Sequence, residues 1–155
     1  MPDSTEEIVY LEAARAIGNQ QRALDELRSR TALLLAAAGV IAAFLGTAAI
    51  EDGVDIAGVL AIVFFAILAV LSILILLPRE DAWMFSLNAK TLIEDHLDVP
   101  ERNSASKLHR FLAEWLDEHY TSNKAHLDGL YRLYWWASVL LAVDIGLWLL
   151  ELSID

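Results

Sequence analysis

The sequence predicts an all-α integral membrane protein with three transmembrane helices. The N-terminus lies in the cytoplasm, the C-terminus outside, and helix extensions form a small cytosolic helical bundle. Three observations predict this. Hydrophobic residues make up 57% of the 155 positions, against about 45–50% in soluble domains, and a chain this short has too little interior to hide the excess. Two runs, of 20 and 22 residues, carry no charge at all. All eleven Lys and Arg residues fall on one side of the spans that these runs and a third define.

Residues 1–30 come first and read as a cytosolic amphipathic helix. This stretch is acidic and lacks an apolar core, so it is not a signal peptide. Ser4 and Glu7 are spaced as a capping box. Ile17, Leu24 and Leu27 form an apolar stripe, and no proline separates them from the first span. One helix from about Ser4 to Ile50 follows. Its membrane part, residues 31–50, reads TALLLAAAGVIAAFLGTAAI. Residues 51–55 form an external hairpin. Residues 56–77, IAGVLAIVFFAILAVLSILILL, form the second span. At the helical rise, each uncharged run covers about 30 Å, the thickness of the hydrocarbon core.

Residues 78–132 read as a cytosolic helical segment. Pro78 ends the second span, and a short helix is expected at about Asn88 to Leu97, stopped by Pro100. Leu108, Phe111, Leu112, Trp115, Leu116, His119 and Tyr120 then recur at three and four, the period of an amphipathic helix. This pattern runs on into a third span at residues 133–150. Trp135 and Trp136 at one end and Trp148 at the other form the aromatic belts of a membrane helix. A tail, residues 151–155, ends the chain.

Orientation follows from charge. Four Lys or Arg residues precede the first span and seven lie between the second and third, whereas the hairpin and the tail hold none. The positive-inside rule therefore puts the start of the chain and its middle segment in the cytoplasm. The net charge of −11 argues against a nucleic-acid partner, and cysteine is absent, which removes disulfides and thiolate chemistry. These features suit a prokaryotic inner membrane.

The run ALDELRSRTALLLAAAGVIAAFLG, residues 23–46, resembles small bacterial membrane proteins of unassigned role. The stretch from His119 to Leu152, with Asp144 shortly before Trp148, looks like their C-terminal part. A helix that enters paired spans and is followed by a cytosolic helical segment is similar to the SLATT and Pycsar-type transmembrane effectors. That resemblance implies a homo-oligomer that breaches the inner membrane in anti-phage defence. It also implies a soluble regulator or nucleotide second messenger as partner, besides the lipid bilayer.

Asp144 is the most informative single residue, because an acid inside a span costs about 2.5–3.5 kcal/mol on insertion scales. Three roles are open to it: reaching water or bonding Thr47 at similar depth in the first span, joining subunits as a protonated acid, or lining an ion or proton path. Two small-residue ridges, Ala38–Ala42–Gly46 and Ser138–Ala142–Gly146, allow close helix approach. On a helical wheel Asp144 lies far round from Ala142. The third span can thus pack one face inside the subunit and turn Asp144 towards another surface, and the ridges can serve contact between subunits or packing within one. His109, His119 and His126 read as packing or solvated histidines, with no metal. Glu114, Asp117 and Glu118 read as a solvated face. No catalytic constellation and no cofactor motif is present, so an enzyme is not expected. Three spans cannot enclose a wide pore, so conduction demands a homo-oligomer. Two functions compete: a channel-like effector controlled from its cytosolic helices, and a non-conducting anchor that presents those helices to a soluble partner.

Overall fold

A computed structural model describes residues 5–50, 55–77, 83–85, 90, 93 and 104–154. Three long helices account for nearly all of these: α1 (Thr5–Ile50), α2 (Ile56–Leu76) and α3 (Ala105–Ile154). No strand occurs among the described residues. No proline falls within the three helices, where it would remove a backbone bond and clash with the preceding turn. With none to interrupt them, α1 and α3 are unbroken over 46 and 50 residues. The expected Ser4–Glu7 capping pair, the hairpin before Asp55 and the short helix near residues 88–97 lie outside the described residues.

Buried positions recur at intervals of three and four on every helix. On α1 they include Ile17, Gln20, Leu24, Leu27, Thr31 and Ala38; on α2, Gly58, Ala61, Leu68, Ser72 and Ile75. On α3 they are Ala113, Leu116, Asn123, Leu127, Ala137, Asp144, Trp148 and Glu151. A repeat of 3.5 residues keeps one seam facing a neighbouring helix, as in coiled coils.

The chain divides into two compact units, and α1 and α3 contribute to both. The polar unit comprises Met1–Leu24 and Arg79–Asp128. In it, Tyr10 stacks on His109 at 5.4 Å, and the Gln20 amide donates to the Tyr120 carbonyl at 2.9 Å. The partners rise together in number, so α1 and α3 run parallel here. Asn123 clamps the backbone of Met84: its Nδ2 donates to the Met84 carbonyl at 2.9 Å, and the Met84 N–H donates to its Oδ1 at 3.4 Å. Trp83 packs beside this clamp on His126.

The apolar unit comprises Asp25–Pro78 and Gly129–Asp155. Its centre is Trp148 against Ala61, with Leu45 and Leu147 alongside. Glu151 meets the start of α2 and Trp148 meets Ala61, so α2 and α3 are antiparallel. Outward, Leu33, Phe44, Ile56, Ile62, Val63, Ile67, Trp135 and Trp136 are left exposed. An apolar surface on this scale is not stable in water, and a bilayer is the environment that covers it. All three helices are long and apolar enough to cross a membrane.

Candidate functional site

The seam of the apolar unit holds a buried carboxyl group. Asp144 is 0% exposed, and neither of its side-chain oxygens makes a hydrogen bond of good geometry. Trp148 lies one turn further along α3 on the same stripe, and its indole N–H is the donor that reaches towards the carboxyl. The indole is seated by small residues on both neighbours. A Cβ at Gly46 would meet its ring atoms at 3.3 and 3.4 Å, and Ala61 packs against it from α2.

The expected Asp144–Thr47 bond is not formed. Thr47 is exposed, and its hydroxyl donates to the Ala43 carbonyl of its own helix at 2.6 Å. A helical threonine readily satisfies itself one turn back. Thr47 also follows the seam residue Gly46, and one residue turns a side chain by about 100° around the helix, away from the seam.

The two small-residue ridges face different surroundings. On α1, Ala38 and Gly46 are buried and Ala42 is half-buried. On α3, Ser138 is half-buried and bonds the Tyr134 carbonyl at 2.9 Å, while Ala142 and Gly146 are exposed. A Cβ at Gly146 meets nothing within 4 Å. The third span thus packs its Asp144–Trp148 face within the chain and turns its ridge outward. The physical reason is size complementarity. One large indole fills the gap left by Gly46 and Ala61 and buries far more surface than a second row of small residues would.

Glu151 completes the site, and its role was not expected from the sequence. It is 3% exposed. Its Oε1 accepts from the Asp55 N–H and its Oε2 from the Gly58 N–H, each at 2.8 Å. Asp55 is the N-cap of α2, yet its own side chain makes no cap bond. A carboxylate from α3 does that work instead, reaching the amides of the N-cap and of the third residue of the first turn, which a capping box would satisfy. It also places negative charge at the positive end of the helix dipole. The spacing Asp144, Trp148, Glu151 is four then three, and this stripe was the available signal.

Two other polar groups occupy the seam. The Thr31 hydroxyl donates to the Leu27 carbonyl at 2.8 Å, and the Ser72 hydroxyl is buried without a partner. In the polar unit each described histidine lies against an aromatic ring: His109 on Tyr10, His119 on Trp115 at 4.0 Å, and His126 on Trp83. Among the described residues no three His, Cys, Asp or Glu side chains are grouped to hold a metal. Comparison with family models, curated proteins and solved structures returns no match.

Proposed function

We propose that the chain is a homo-oligomeric, channel-like effector of a prokaryotic inner membrane, controlled from its cytosolic helices. The observation that carries this reading is the buried carboxyl of Asp144, which has the Trp148 indole N–H beside it and no hydrogen bond of good geometry. A polar group buried without a hydrogen bond costs about 1–3 kcal/mol, more if charged. The closed seam bears that cost, and a seam that opens to water removes it. Asp144 therefore favours a second, hydrated arrangement of the same helices, in which an acid lines the opened path. Control follows from continuity: α1 and α3 each contribute to both units without a break. The distribution of Lys and Arg supports a cytosolic polar unit. The resemblance to SLATT and Pycsar-type effectors extends the reading to anti-phage defence, with a nucleotide second messenger or soluble regulator as trigger.

Ion flux into liposomes tests the proposal. Wild-type protein is expected to pass cations in preference to anions, because charge at a constriction sets preference. Asp144→Asn keeps the shape and removes the charge, so cation preference should fall. Wild-type liposomes that pass no ions, or equal selectivity in the variant, would refute the pore role.

The second reading, a non-conducting anchor for a soluble partner, draws on a separate observation in the polar unit. A cleft of about 640 Å³ lies open between the first turns of α1 and α3.

A further inference from the structure

We infer that this cleft is the docking groove for a basic amphipathic helix of a soluble protein. The inference deepens the anchor reading by giving the partner's chemistry, and it rests on the polar unit alone, whether or not the apolar unit conducts.

Shape comes first. The groove follows α1 from Thr5 to Ala16, roughly 16 Å or three helical turns at the helical rise. Its floor is Val9, Ala13 and Ala16 from α1 and Ala113 from α3. Three alanines let another helix backbone approach closely, and Val9 is 53% exposed, leaving an apolar contact uncovered. A helix with an apolar stripe at three and four is the occupant that such a floor fits.

Charge selects the partner. Glu6, Glu12, Glu114 and Asp117 line the groove, against one cation, Arg110. That cation is held within the rim: its Nε donates to Glu114 at 2.9 Å, which with nearby Glu6 raises its affinity for the proton. Arg15 pairs with Glu12 at the outer edge. Such exposed pairs are weak and screened by water, so incoming Lys or Arg side chains can displace them. The acidic rim repels nucleic acid and anionic lipid headgroups alike. It also disfavours a second copy of the chain, whose matching α1 turn carries Glu6, Glu7 and Glu12.

The test uses the full chain in phosphatidylcholine nanodiscs, with empty discs as blank. The probe is a fluorescein-labelled helical peptide of about five turns. It carries a Leu/Ala stripe flanked by Lys and Arg, and a counterpart has the same stripe flanked by Glu. The basic peptide should bind saturably and weaken with added salt, and the acidic one should not bind. The double variant Glu12→Lys, Asp117→Lys should weaken the basic peptide by about tenfold or more and admit the acidic one, since specificity here is built from repulsion. Ala13→Trp, which fills the floor, should block both. Equal binding of the two peptides to wild type would overturn the inference, and so would absence of saturable binding by the basic one. Ala16→Cys chains that cross-link to each other through the groove would assign it to a second copy instead. The readout is peptide anisotropy rather than ion flux, so its failure leaves the conduction proposal to its own test.

Discussion

Asp144 and Glu151 lie seven residues apart on one stripe of α3 and are treated in opposite ways by the fold. Glu151 has both oxygens bonded to backbone amides of α2; Asp144 has none. Opposite consequences follow for substitution. Glu151→Ala leaves buried amides at the start of α2 without an acceptor, and the detergent-solubilised protein should lose about 1–3 kcal/mol. Glu151→Gln keeps only one acceptor oxygen and should fall between. A melting temperature unchanged in Glu151→Ala would show that the clamp contributes nothing. Asp144→Leu replaces a buried polar group that makes no hydrogen bond of good geometry with an apolar one of similar length, and the melting temperature should rise. A fall would mean that the carboxyl is satisfied in the folded protein.

At the scale of the element, the glycines of α1 and α3 separate inward from outward faces. Gly46→Leu must displace the Trp148 indole, which is packed on both sides. Overpacking of this kind costs about 1–3 kcal/mol, read as a lower melting temperature. Gly146→Leu projects into open space and should leave the melting temperature of a single chain unchanged. If the outward ridge joins copies, as the proposed homo-oligomer requires, the same change should shift the solubilised protein to smaller species in light scattering. Unchanged size would remove this ridge from the assembly. The helices themselves were largely legible, since uncharged length and absent proline suffice to predict them. Which face of each helix turns inward was not, because Ser138, Ala142 and Gly146 read as well as a packing ridge as does the stripe that holds Trp148.

For the whole molecule, the parallel course of α1 and α3 in the polar unit and the antiparallel α2 and α3 in the apolar unit match a chain that crosses a bilayer three times. Reporter fusions check the orientation drawn from Lys and Arg. A reporter at Arg102 should read cytoplasmic, and one after Asp155 external. Both reporters on one side would refute a third crossing, and with it the outward ridge as a lipid-embedded contact.

The sequence alone determined that the chain is helical and apolar enough for a membrane, because those properties depend on composition, run length and proline placement, which are local. It also marked Asp144 as unusual, since a charge within an apolar run is visible without any neighbour. What only the tertiary structure decided is which groups meet: that Thr47 bonds its own helix, that Trp148 fills the space left by Gly46 and Ala61, and that Glu151 caps a helix beginning 95 residues before it. Such pairings depend on the rotation of each helix about its axis. That rotation is set by packing one large side chain against small ones on two other helices, a condition that no single stretch of sequence contains.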